Sequence, residues 1–112
     1  MSVQVTDNSD KFKSELAEKI PIILEAVGIH LEGESKDELE NDPRRVDTGN
    51  LRNSISHAVD EQEPALYVGT NVDYGIYVHE GTQRMAPNRF LKNAMERNEA
   101  QVREYIENKL KS

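Results

Sequence analysis

The chain contains no cysteine and no tryptophan. The first absence excludes disulfides and thiolate metal sites, and it permits assembly inside a cell. Aromatic residues are scarce, at 5% with four Tyr and two Phe, and hydrophobic residues make up 36% against 31% charged. A chain of 112 residues reads as a single domain over 1–112 with a modest core. Burying surface in an oligomer would supplement so thin a core. No apolar run approaches the roughly 18 residues of a membrane span. The opening MSVQVTDNSDKF lacks the basic-then-apolar pattern of a signal peptide. A soluble protein, made and used without export through a membrane, is expected.

Charge is unevenly placed. Of the net −7, residues 1–41 contribute −6, with ten acids against four bases, and residues 42–112 contribute −1. An acidic N-terminal third argues against gripping duplex DNA, because that affinity comes from neutralising phosphates with Lys and Arg. It leaves open a protein that surrounds DNA without holding it.

The hydrophobic pattern predicts an α+β fold: N-terminal helices, a small antiparallel sheet of short strands and a C-terminal amphipathic helix. Residues 1–9 read as a flexible tail and 10–41 as helical, with Phe12, Leu16, Ile20, Ile23, Leu24, Val27 and Leu31 spaced by threes and fours. Pro21 predicts a short helix followed by a second with Pro21 in its first turn. Asn41-Asp42-Pro43 is a stop. The sheet region spans 43–82. Leu51, Asn53, Ile55, His57 and Val59 alternate as on one strand, Glu61–Pro64 reads as a hairpin connection, and Ala65–Gly69 as the partner strand. Tyr74–Val78 reads as a short helix capped by Asn71 or Asp73. Residues 83–89 form a loop and 90–111 a helix, capped by Asn88, with a stripe of Phe90, Leu91, Ala94, Met95, Val102, Tyr105, Ile106 and Leu110.

Several constellations invite a chemical reading. Asp47-Thr48-Gly49 matches the triplet of aspartic proteases, the smallest of which are dimers of short chains sharing a proton between two carboxylates. That fold is almost all strand, however, and more than half of this chain reads as helix. Asn50 also stands where Ser or Ala usually follows the Gly. The local reading makes Asp47, Thr48 and Gly49 a structural turn that launches a strand. His79-Glu80 lacks the second histidine of a zinc helix, since position 83 is Gln. Gly69, Gly75 and Gly81 have no Gly-Lys-Ser/Thr sequel and form no phosphate loop. No catalytic residue, metal or cofactor is expected. Lys92/Glu96 and Glu99/Arg103 are spaced for salt bridges along one helix. The basic residues around them would alternatively face an acidic partner such as the N-terminal third of a neighbouring subunit. Tyr67, Tyr74 and Tyr77 concentrate three aromatics in eleven residues, a composition suited to an interface as well as a core.

Three runs then acquire a joint meaning: VDTGNLRNSI at 46–55, VGTNVDYGIYVHEGT at 68–82 and RMAPNRFLKNAMER at 84–97. Together they resemble the small head–tail joining (neck, or tail-component) family of long-tailed bacteriophages and prophages. Members show Asp-Thr-Gly-x-Leu-x-x-Ser-Ile, then Val-Gly-Thr-x-x-x-Tyr-x-x-Tyr-Val-Glu-x-Gly-Thr, then a Pro-x-x-Phe-Leu element opening the last helix. Tyr74, Tyr77, Val78, Gly81 and Thr82 stand at matching positions. His79-Glu80 departs from the family's Glu followed by an aromatic, and Pro87-Asn88-Arg89-Phe90 departs from its usual proline run. The resemblance covers about residues 43–97. It implies a non-enzymatic virion protein of the neck or tail, assembled in the bacterial host cytoplasm as a ring of six copies. Its partners would be head-completion or connector proteins on one side and tail-terminator or tail-tube proteins on the other. DNA would pass through without specific binding. Tyr74, Tyr77, Arg84, Met85 and Arg89 are the candidate contact residues. The alternatives are the dimeric protease and a small nucleic-acid-binding regulatory module.

Overall fold

The computed structural model describes residues 2–6, 18–42, 48–83 and 85–111. The elements in order are β1 (Ser2–Thr6), α1 (Lys19–Glu40), α2 (Thr48–Ser54), β2 (Ser56–Asp60), β3 (Ala65–Gly69), α3 (Gly75–Glu80) and α4 (Phe90–Lys111). The class is α+β, as the hydrophobic periods predict, with the long C-terminal helix in place.

Helix α1 starts where Pro21 permits. Pro21 falls in the first turn, where backbone N–H groups have no intrahelical partner to lose. A helix preceding it would lie outside the described residues. The buried face consists of Ile20, Ile23, Leu24, Val27, Gly28, Leu31, Ser35 and Leu39, so the apolar stripe runs the whole length. It ends before Pro43, with the Asn41 and Asp42 N–H groups closing on the Asp37 and Leu39 carbonyls at 3.1 Å.

Three strands lie in the order β1-β3-β2, all neighbours antiparallel. The same residues of β3 pair on both sides: Val68 faces Val3 on one edge and His57 on the other, and Leu66 faces Val5 and Val59. The tail expected over 1–9 is thus, over Ser2–Thr6, an edge strand whose backbone is paired with β3. Alternation decides the faces. Leu66 and Val68 point to the helices and are fully buried, while Tyr67 lies on the other face and is partly exposed. Helix α1 crosses β2 and β3 on the buried face, with α4 beside it. A Cβ on Gly28 would come within 2.6 Å of the His57 ring and 2.8 Å of Leu66 Cδ1. The helix therefore sits against the sheet at a point where no side chain fits.

The strand expected to begin at the Asp-Thr-Gly turn is corrected. Thr48–Ser54 is a helix, and the strand starts only at Ser56. Leu51 and Ile55 are both buried, which suits a helical spacing of four as well as the two-residue alternation read from sequence. Asn53, on the expected strand face, is exposed. The hairpin at Glu61–Pro64 forms as predicted, and Asp60 accepts the Gln62 and Glu63 N–H groups.

Candidate functional site

Motif residues far apart in sequence meet beneath α3. The Ser54 hydroxyl donates to the Leu51 carbonyl at 2.6 Å and lies 2.5 Å from the Thr70 hydroxyl. A serine has one proton to give, so Thr70 donates to Ser54. The Thr70 oxygen in turn accepts the Val72 N–H at 3.1 Å, holding the turn that leads into α3. Gly75 closes the arrangement, since a Cβ there would meet Thr70 Cγ2 at 2.8 Å and Leu51 Cδ1 at 3.2 Å. The first two motif runs are thus one packed unit joined by the Ser54–Thr70 bond. Helix α3 is entered through Tyr74, without a side-chain cap; the expected caps at Asn71 and Asp73 do not form.

Helix α3 buries Gly75, Val78 and His79 and turns Ile76 (48% exposed) and Tyr77 (59%) outward. It stops at Gly81, whose φ of +80° lies in the region that favours glycine and whose position leaves 2.9 Å between a Cβ and the Met85 carbonyl oxygen. A tight turn follows, with Thr82 and Met85 bonded through their backbones. His79 lies edge-on to Phe90, 5.2 Å between ring centres. Its Nε2 accepts the Lys92 N–H at 3.4 Å, so Nδ1 carries the proton and donates to Glu80 at 2.7 Å. That bond from His79, aided by Arg89 and Lys92, holds the Glu80 carboxyl below the usual range. Asn88 does not cap α4. Its amide donates to Asp42 Oδ2 at 3.0 Å and to the Glu38 carbonyl, pinning the loop to the end of α1.

Most acids of α1 are engaged within the chain. Both ring nitrogens of His57 meet carboxylates, Glu25 at 2.5 Å and Glu32 at 2.9 Å, so the ring is an imidazolium donating twice. Burial by itself lowers its pKa, but the bonds to Glu25 and Glu32 outweigh that and raise it. Burial raises the Glu32 pKa, but the bonds from His57 and Lys36 outweigh that and lower it. Arg97 binds Glu34 and Glu38, and Arg52 lies 3.6 Å from Glu40. The acidic partner foreseen for the basic C-terminal part is, for Arg97, the chain's own α1. The Lys92–Glu96 and Glu99–Arg103 pairs form along α4 as their spacing predicts.

Among the predicted contact residues, Tyr77 and Arg89 are both exposed, and Arg89 lies 3.8 Å from Glu80 at the end of α3. Tyr74 and Met85 are half-buried against the core. Arg84 and Asp47 lie outside the described residues. Thr48 and Gly49 open α2, and Gly49 is exposed. Sequence reasoning read Tyr74–Val78 as a helix but did not single out Ile76, which that helix sets outward beside Tyr77. It also missed Ile22 (72% exposed) and Ile29 (60%), which fall opposite the buried stripe of α1. No three His, Asp or Glu side chains converge as a metal-holding group among the described residues, and no described helix is long and apolar enough to cross a membrane. No family model, curated protein or solved structure matches the chain.

Proposed function

We propose that this chain is a head–tail joining component of a tailed bacteriophage, a structural virion protein that assembles as a ring between the head connector and the tail tube. The observation that carries the reading is the interlocking of the three motif runs. Ser54 and Thr70 bind each other, Gly75 packs on Thr70 and Leu51, and Gly81 turns the chain toward the buried Phe90 and Leu91. Motifs that build one framework are what a shared fold would preserve as a set, and the resemblance rests on that set. The nearly all-strand architecture that the protease reading requires is not supported by two 22-residue helices over a three-stranded sheet.

On this reading α3 is a contact surface. Ile76 and Tyr77 offer apolar area with one polar tip, and Arg89 and Glu80 border them. The ring would form on its head and tail partners, with DNA passing through a channel it does not grip. Acidic side chains of α1 that face such a channel would repel the phosphates. The test is coexpression with the products of the genes flanking the coding sequence, followed by electron microscopy of the purified assembly. Rings containing this chain and a connector or tail protein are expected, and Ile76→Asp should abolish them while leaving the fold intact. Flanking genes that encode no capsid, connector or tail protein would sink the reading.

A further inference from the structure

Helix α1 carries a second apolar stripe on the side away from the core. Ile22, Ala26, Ile29 and Gly33 follow one another at intervals of four, three and four. That is the spacing of a seam that packs against another helix. Its large members, Ile22 and Ile29, are the two most exposed large hydrophobic side chains among the described residues. Gly33 is the informative member. A glycine in mid-helix weakens the helix, and Gly28 has a reason for it in the His57 ring, whereas a Cβ on Gly33 would meet nothing within 4 Å. No contact among the described residues calls for a glycine there.

We propose that two copies of this chain pair through the outward face of α1, antiparallel about a two-fold axis. The order of the four residues selects the register. Run antiparallel, the stripe sets Ile22 against the partner's Gly33 and Ala26 against the partner's Ile29, and the same contacts recur across the axis. Every layer then joins a large side chain to a small one, the alternation that lets helices interdigitate without voids or overlap. Ala26 also forms one wall of a cleft of about 220 Å³ between α1 and α4, with His30, Gln101, Val102 and Tyr105, so the incoming Ile29 of the partner has a recess to enter.

The charges agree with that register. In an antiparallel pair, flanking residues meet their counterparts on the same flank. On one flank Glu18 comes beside the partner's Lys36, and on the other Lys19 beside the partner's Asp37. Each pair occurs twice by symmetry, giving opposite charges at both ends of the seam. Glu25 and Glu32 also border the first flank, where the His57 imidazolium lies against both and Lys36 against Glu32. A two-fold contact closes at two copies, so it is a different surface from the α3 contact proposed for the ring, and either stands without the other.

The test uses the full chain, which has no native cysteine. Light scattering with size-exclusion chromatography should give a dimer that dissociates on dilution. Gly33→Leu should weaken pairing by about tenfold or more while its circular dichroism matches the parent's and, in solution dilute enough for single chains, its thermal midpoint stays at or above the parent's, because the space over Gly33 is open in the single chain. Lys19→Glu should weaken pairing, and adding Asp37→Lys should restore it. Oxidising a mixture of Ile22→Cys and Gly33→Cys chains should cross-link unlike chains. Preferential linking of Ile22→Cys chains to each other would mean a parallel pair and overturn the proposal. So would a chain that stays monomeric at millimolar concentration, or a Gly33→Leu variant that dimerises like the parent.

Discussion

Gly28 and Gly33 sit five residues apart on one helix and respond oppositely to the same substitution. Gly28→Ala drives a methyl into the His57 ring and Leu66, and overpacking of that kind should lower the unfolding free energy by about 1–3 kcal/mol in urea titration. Gly33→Ala adds a methyl to open space and removes the conformational freedom of glycine. In solution dilute enough for single chains it should raise stability by about 0.5–1 kcal/mol. Both residues look alike in the sequence, and only the neighbour across the gap distinguishes them. Ser54 and Thr70 teach a similar lesson. Sequence shows them as members of separate motifs, while the fold places their hydroxyls 2.5 Å apart. A double-mutant cycle with Ser54→Ala and Thr70→Ala should return a coupling of about 0.5–3 kcal/mol. Additive losses would mean that the bond between the motifs contributes nothing.

Among elements, the docking of α1 on β2 depends on pH through His57. Its folded-state pKa is raised above the ordinary 6.5. Its contribution is therefore complete below 6.5 and is lost as pH rises through the raised value. Glu32 has a folded-state pKa lowered from 4.5, so its contribution is present above 4.5 and is lost as pH falls through the lowered value. Stability should fall as pH rises above 6.5, and His57→Gln should flatten that fall in denaturation midpoints measured across the range. An undiminished slope in the variant would remove His57 as its source. The α2 helix shows how an element escapes sequence. Leu51, Asn53, Ile55, His57 and Val59 alternate as on one strand, yet Leu51 and Ile55 also fit one face of a helix, and a run this short satisfies both periods. The turn tied by Ser54 and Thr70, contacts remote in sequence, accompanies the helical outcome.

At the scale of the molecule, one core unites α1, α2, α3, α4 and the sheet, and the surface charges arrange themselves around it. Phe90 is wholly buried at the start of α4 against His79. Phe90→Ala should lower stability by about 3–5 kcal/mol by calorimetry or denaturant titration. Arg97 bridges α4 to Glu34 and Glu38, but its side chain is about half exposed. Water screens such pairs, and Arg97→Ala should therefore change stability by less than about 1 kcal/mol. An outcome in which Arg97 outweighs Phe90 would mean that the helices are held by their charges. Asn98 belongs at this scale too. It is buried in the gap of the α4 stripe between Met95 and Val102, accepts from His30 Nε2 at 3.0 Å and donates to the Ala94 carbonyl at 2.8 Å. A polar residue on an apolar face was passed over in the periodicity because its partner lies on the other helix.

Periodicity by itself determined the two long helices, the hairpin and the α+β class, because those features depend on neighbours three, four or two residues away. The tyrosine cluster and the family resemblance, rather than periodicity, placed Tyr77 and Arg89 among the candidate contacts. Tertiary structure decided the rest. It made an edge strand of Ser2–Thr6 by pairing it with β3, made a helix of Thr48–Ser54, and paired most of the acids of α1 with His57, Arg97 and Arg52. It also separated the two apolar faces of α1, one filled by the sheet and α4 and the other with Ile22 and Ile29 exposed. Each of these outcomes rests on contacts between residues remote along the chain, which no local pattern encodes.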